Sequence, residues 1–182
     1  ILGDAVATSY HAVTKRAQVR PGMTVALVGV GGVGLHALQM ARLAGGWTIA
    51  VDINEARLEL ARKLGADATV DARQGPFHEA VRRLTDGEGV DVVLEFVANQ
   101  DTLPSSYRSL KRAGRLVFVG YTPQLPISVL PHELVRNEWE ILGSRANTKQ
   151  ELQETMDLVA QGRIQPVIDQ IFSMEDVELA FD

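Results

Sequence analysis

The chain has 182 residues, of which 46% are hydrophobic and 23% charged, and its net charge is −5. This length and hydrophobic content suffice for one domain with a sizeable core. The absence of basic blocks argues against a nucleic-acid partner, and the absence of cysteine excludes a disulfide framework or a cysteine-bound metal built from this chain alone. No apolar run approaches the ~20 residues of a membrane helix, so we expect a cytoplasmic protein with no membrane partner. Because the chain opens on Ile1 without an initiator methionine, we interpret it as part of a longer protein.

The predicted elements alternate between helix and strand. A helix over 5–19 ends before Pro21-Gly22, and the apolar run from Thr24 to Val30 is typical of a strand buried on both faces of a parallel sheet. Further strands are predicted over 47–51, 68–70, 91–97, 115–120 and 139–143. Further helices are predicted over 32–44, 55–64, 77–85 and 102–111, from the capping box at 148–151 to Gly162, and from 173 onwards. The proline-rich stretch 121–137 predicts a loop with a single helical turn.

Six strands alternating with helices predict an α/β fold of the Rossmann type. Right-handed crossovers then give a doubly wound, six-stranded parallel sheet with helices on both faces, in the order 3-2-1-4-5-6. Such a fold binds its ligand at the carboxyl ends of the strands.

Residues 29–34 carry the strongest functional signal. Gly-Val-Gly-Gly-Val-Gly matches G-x-G-x-x-G where an apolar strand ends and a helix begins. There the first glycine permits a tight turn, the second lets the backbone approach a pyrophosphate, and the third allows close helix packing. The helix N-terminus then attracts the phosphates. We predict a dinucleotide site formed by Gly29, Gly31, Gly32, Val33 and Gly34; the alternative is a glycine-rich turn that only packs.

Asp52 ends the second predicted strand, about 20 residues beyond the glycine loop, where a carboxylate can accept hydrogen bonds from ribose hydroxyls and would repel a 2′-phosphate. This favours NAD over NADP. Ile53 is included with the cofactor-binding residues, and so is Arg57, although an exposed helix arginine without a specific role is the alternative.

With the opening segment Asp4-Ala-Val-Ala-Thr8-Ser-Tyr10-His11-Ala12, these motifs resemble the zinc-type medium-chain dehydrogenase/reductase (alcohol dehydrogenase) family over nearly the whole chain. The resemblance implies an NAD-binding Rossmann domain over 21–165. Residues 1–20 would be a hinge helix, and 166–182 the start of a return segment to a catalytic domain outside this chain. It also implies hydride transfer between nicotinamide and an alcohol, aldehyde or ketone, to which this piece alone would not be sufficient.

The resemblance assigns further site residues. Asp4 would be the aspartate variant of a catalytic-zinc ligand, the other ligands lying outside this chain, although an aspartate here could instead cap the helix. Thr8 would lie against the nicotinamide as a catalytic residue. Phe96 and Val97, with the end of strand five at Val119, Gly120 and Tyr121, would contact the ribose and carboxamide, although core packing is an alternative for Phe96 and Val119.

The resemblance also implies a homodimer or tetramer formed through the edge strand near 139–145. His36, on the helix after the glycine loop, is predicted to be a surface histidine. Three alternatives stay open: a zinc-free quinone or enoyl reductase of the same superfamily, an S-adenosylmethionine-dependent methyltransferase, and a non-catalytic NAD-sensing module.

Overall fold

A computed structural model describes residues 1–180; Phe181 and Asp182, the end of the predicted return segment, lie outside the described residues. Its centre is a six-stranded parallel sheet in the order β3-β2-β1-β4-β5-β6, which confirms the predicted Rossmann topology. The strands are β1 Thr24–Val28, β2 Trp47–Asp52, β3 Ala68–Asp71, β4 Val90–Glu95, β5 Leu110–Phe118 and β6 Glu140–Gly143. The helices are α1 (residues 2–17), α2 Gly32–Leu43, α3 Glu55–Lys63, α4 Phe77–Leu84, α5 Leu103–Arg108, α6 Pro131–Asn137 and α7 Lys149–Ala160, with 3₁₀ turns at Ala72–Gln74 and Met174–Ala180. Because β6 pairs parallel with β5, the sheet within residues 1–180 does not end in the antiparallel hairpin that the methyltransferase alternative would require.

The strands alternate their side chains between two apolar layers. Val25 and Leu27 of β1 face the layer that contains α1 and α2, whereas Ala26 and Val28 face the layer that contains α4. All four are buried, and each Val or Leu contributes about 1.5–3 kcal/mol to stability. Helices therefore cover both faces, as predicted for a doubly wound sheet.

Helix α1 belongs to this core. It is continuous through Leu2–Val6, Ala7–Tyr10 and His11–Ala17, the first and last stretches having the wider turns of a π-helix. Val6 and Val13 are fully buried against the sheet layer. The helix ends earlier than the predicted 5–19, since Gln18 is left-handed with φ 53°.

Several strand boundaries differ from the prediction, including the end of β4, which lies at Glu95 and not at 97, and two of the differences have backbone reasons. β1 stops at Val28 because Gly29 has φ +88°, which is incompatible with a strand. β5 starts at Leu110, inside the predicted helix 102–111, and residues 111–114 form an irregularity before Arg115 pairs with Val92.

Helix α6 occupies residues 131–137 of the predicted loop 121–137 and is longer than the single helical turn expected there. Pro131 at its first turn has the φ that a helix needs, and Glu138 ends it in the left-handed conformation. No α6 residue is buried, so the segment lacks the apolar stripe from which a helix is predicted. Of all the helices within residues 1–180, none is long and apolar enough to cross a membrane.

Candidate cofactor cleft

A cleft of about 610 Å³ opens at the carboxyl edge of the sheet. It lies above β1, β2 and β4, where the chain order reverses between β1 and β4. This is the switch point at which doubly wound sheets bind ligands. Ten of the residues predicted to bind a cofactor line it: Gly29, Gly31, Gly32, Val33, Gly34, Asp52, Ile53, Arg57, Phe96 and Val97.

The glycine loop forms one wall of the cleft. Gly29 leaves β1 at φ +88° while its N–H donates to the Val51 carbonyl oxygen at 2.8 Å. A Cβ on Gly34 would collide with the Gly29 carbonyl oxygen, whereas a Cβ on Gly31 would meet no atom within 4 Å. Gly34 is therefore required for packing of α2 on the loop, and Gly31 leaves space open above it.

The N-terminus of α2 faces the same space. Gly31 is its N-cap and supplies no side-chain cap, so its first amides retain hydrogen-bonding capacity for a ligand. No acidic residue lies in the first turn of α2. An anionic group such as a pyrophosphate fits this end of the helix.

Asp52 ties the glycine loop to β2. Its side chain is buried, with Oδ2 accepting from the Val30 N–H and Oδ1 from the Asn54 N–H, each at 2.9 Å. Each carboxylate oxygen has a further lone pair for a hydroxyl donor. Arg57 Nη1 lies 3.9 Å from Oδ2 and is half exposed at the edge of the cleft.

The turn after β4 forms the facing wall. Val97 lies against the glycine loop, since a Cβ on Gly29 would be 2.5 Å from its Cγ2. Val119, Gly120 and Tyr121 do not line the cleft; Gly120 packs against the Phe96 carbonyl, and Tyr121 is 82% exposed. Their predicted contacts with a nicotinamide stay predictions.

Comparisons with known proteins agree with this geometry. A family model described as "Zinc-binding dehydrogenase" matches residues 32–161. The chain belongs to the zinc-binding dehydrogenase family. It is 33% identical over 181 residues to an NAD-dependent alcohol dehydrogenase of Sulfolobus acidocaldarius, covering 96% of this chain and 50% of the relative.

Solved structures of the family have the same fold. The alcohol dehydrogenase of Aeropyrum pernix superposes with a TM-score of 0.90 at 37% identity, covering 98% of this chain and 52% of that one. A Sinorhizobium meliloti structure described as a zinc-binding dehydrogenase bound to NADP superposes with a TM-score of 0.80 at 33% identity, covering 88% and 48%. The chain thus spans about half the length of the relatives it matches and corresponds to the cofactor-binding domain of zinc-type, alcohol dehydrogenase-like oxidoreductases.

Asp4 and Thr8, which the sequence resemblance assigns to zinc and nicotinamide, are one helical turn apart on α1. The nearly buried Thr8 hydroxyl donates to Asp4 Oδ1 at 3.3 Å, and Asp4 is exposed. Asp4 does not cap the helix, because α1 begins at Leu2 with Ile1 as its N-cap. No three His, Asp or Glu side chains are grouped for a metal within residues 1–180, so the described residues alone do not fit a zinc centre.

Glu95 is a residue of this site that was not predicted from the sequence. This fully buried carboxylate ends β4 and accepts from the N–H groups of Val97 and Ala98, each at 2.9 Å, and from the Ser106 hydroxyl. Burial raises the pKa of Glu95, although these hydrogen bonds act in the opposite direction. The sequence signal that could have identified Glu95 is a single glutamate at the end of an apolar strand. Asn99, Asp101, Thr102 and Ser105 also line the cleft and were not predicted.

The prediction that His36 is a surface histidine is wrong. It is fully buried and accepts a hydrogen bond at Nε2 from the Val167 N–H at 3.0 Å. The proton is therefore on Nδ1, which donates to the Gly32 carbonyl oxygen at 2.6 Å. Burial lowers the pKa of His36, which keeps the ring neutral. The ring connects the first turn of α2 to the segment after α7.

Proposed function

We propose that this chain is the NAD(H)-binding domain of a cytoplasmic, zinc-dependent alcohol dehydrogenase-like enzyme that transfers a hydride between nicotinamide and an alcohol or carbonyl substrate. The observation that carries the proposal is the meeting of the glycine loop and the Asp52 carboxylate in one cleft at the switch point of the sheet. The relatives that are alcohol dehydrogenases support it.

The chain's own contribution is to bind and orient the dinucleotide. The uncapped amides of α2 would hold the pyrophosphate, with Gly31 providing the clearance for close approach. Asp52 would accept hydrogen bonds from the ribose hydroxyls while keeping those from the Val30 and Asn54 N–H groups. When bound, the nicotinamide supplies the hydride donor or acceptor.

Asp52 argues for NAD rather than NADP. A 2′-phosphate would bring a second negative charge against a nearly buried carboxylate, whose repulsion water screens poorly. Arg57 offsets this only in part, because it is half exposed and 3.9 Å from Oδ2. One solved relative is bound to NADP, so the argument for NAD rests on Asp52 and not on family membership.

We assign Thr8 to the nicotinamide side of the cleft, as the family resemblance implies. Its hydroxyl donates to the Asp4 carboxylate at 3.3 Å. Asp4 is proposed to join metal ligands supplied from outside this chain. Val119, Gly120 and Tyr121 are proposed to approach the carboxamide.

The free edge of β6 is the proposed contact between subunits of a homodimer or tetramer. Within the described residues β6 pairs with β5 alone; the Gly143 carbonyl oxygen accepts from Arg16 Nε at 2.8 Å, and the other outer backbone groups of β6 are available to a second chain.

The test is calorimetric titration of the chain with NADH and NADPH. We expect NADH to bind and NADPH to bind at least about tenfold more weakly, a difference of 1.4 kcal/mol. In Asp52→Asn this preference should shrink, whereas Asp71→Asn, in register with Asp52 on β3 but outside the cleft lining, should keep it. Absence of binding by either nucleotide to the folded chain would contradict the proposed function.

A further inference from the structure

Glu95 ends β4, between the ends of β1 and β5. It is in register with Val28 of β1 and with Phe118 of β5. Its backbone carbonyl accepts from the N–H groups of Val119 and Gly120, at 2.9 and 3.0 Å. Val28 and Glu95 are both buried, but only Glu95 has an ionisable side chain that needs hydrogen-bond partners.

The side chain of Glu95 satisfies a turn that leaves the sheet. Oε1 accepts from the N–H groups of both Val97 and Ala98, and Oε2 accepts from the Ser106 hydroxyl on α5. Ala98 is buried and has φ +52°, a left-handed conformation that is unfavourable for alanine. Without the carboxylate, the Val97 amide and the buried Ala98 amide would lack this acceptor, and the turn would lose the hydrogen bonds that hold it in this conformation.

The turn formed by residues 96–98 contacts the glycine loop. Val97 lies close to Gly29, and a Cβ on Gly34 would be 3.5 Å from Cδ2 of Phe96. Phe96 also donates its N–H to the Val28 carbonyl oxygen at 2.9 Å. The width of the cleft between the loop and the turn therefore depends on where the Glu95 carboxylate holds the turn.

We propose that Glu95 is a positioning residue for dinucleotide binding, which fixes the 96–98 turn against the glycine loop so that the cleft is formed before the cofactor arrives. The role rests on the proposed function and deepens it. It depends on the reach and acceptor geometry of the side chain and not on its charge. A carboxamide in the same place retains an oxygen that can accept from Val97 and Ala98, whereas an aspartate retains the charge but withdraws it by one methylene.

The experiment measures NADH affinity by fluorescence titration, with thermal unfolding recorded for every variant, in Glu95→Ala, Glu95→Gln and Glu95→Asp. Glu151→Ala is the matched control. Glu151 is also a buried carboxylate that accepts a backbone N–H, from Thr148 at 2.6 Å, but it lies on α7 outside the cleft lining.

We expect Glu95→Ala and Glu95→Asp to weaken NADH binding by about tenfold or more, Glu95→Gln to stay within about threefold of wild type, and Glu151→Ala to bind as wild type even where it melts earlier. Where Glu95→Ala does not fold, the comparison of Gln with Asp decides. Gln binding better than Asp supports the positioning role; Asp equal to or better than Gln overturns it. Wild-type affinity in folded Glu95→Ala, or an equal loss in Glu151→Ala, overturns it as well. If the wild-type chain itself does not bind NADH, the proposed function fails, and that result is distinct from a failure among the variants.

Discussion

Gly31 and Gly34, the second and third glycines of the G-x-G-x-x-G pattern, should affect stability and NADH binding differently when each is replaced by alanine. In Gly34→Ala the new methyl group meets the Gly29 carbonyl oxygen, a backbone atom that cannot rotate away. An alanine in a helix is ordinarily about 1 kcal/mol more favourable than glycine. Overpacking of this kind costs about 1–3 kcal/mol, so the net loss of stability should be about 0–2 kcal/mol. The displaced loop should also weaken NADH binding.

In Gly31→Ala the new methyl group meets nothing in the protein within 4 Å. Stability should therefore change by no more than about 0.5 kcal/mol. The methyl group would nevertheless occupy the space proposed for the pyrophosphate, and we expect NADH affinity to fall by about tenfold or more.

The assay is urea unfolding combined with NADH titration of both variants. Gly3→Ala is the control, because a Cβ there also meets nothing within 4 Å and Gly3 is outside the cleft lining. Wild-type NADH affinity in Gly31→Ala would refute the placement of the pyrophosphate over the loop. Wild-type stability and affinity in Gly34→Ala would refute the packing argument.

Three further outcomes are expected. Thr148→Ala should lose about 1 kcal/mol in urea unfolding and Thr148→Ser should not, because the Thr148 hydroxyl accepts from the Glu151 N–H in a capping box. Burial holds the pKa of folded His36 below its ordinary 6.5, so the unfolded chain binds this proton first and the stability of the fold should fall as pH drops below 6.5. The fall should be smaller in His36→Gln, measured as urea midpoints at pH 7.5 and 5.5. An equal fall in the variant would contradict this assignment. Sedimentation velocity should show a dimer or tetramer, and a monomer at tens of micromolar would argue against pairing through β6.

The topology and half of the residues that line the cleft followed from local patterns. The strand from Thr24 onwards, the glycine loop and Asp52 are contiguous signals whose meaning depends on covalent spacing and on hydrophobic period. Parallel pairing then brings their carboxyl ends together at one edge, so Asp52 and the loop had to meet.

The residues that were not predicted depend on tertiary contacts. The polarity of His36 suggested a surface position, but its partner, the Val167 N–H, is far along the chain and offers no sequence signal. Glu95 likewise obtains its meaning from the turn that follows and from Ser106 on another element. Helix α6 has no buried face, so its sequence lacks the hydrophobic periodicity from which a helix is predicted.

The contacts between α2 and the segment after α7 have a thermodynamic consequence. His36 binds the Val167 N–H, while Gln39 accepts from the Gln165 N–H and donates to the Gln165 carbonyl oxygen. A shift of the backbone at 165–167 must therefore break these bonds or move α2 with it. If the α2 N-terminus holds the cofactor, its occupancy and the position of residues 165–167 are linked, and each must influence the other by the same free energy.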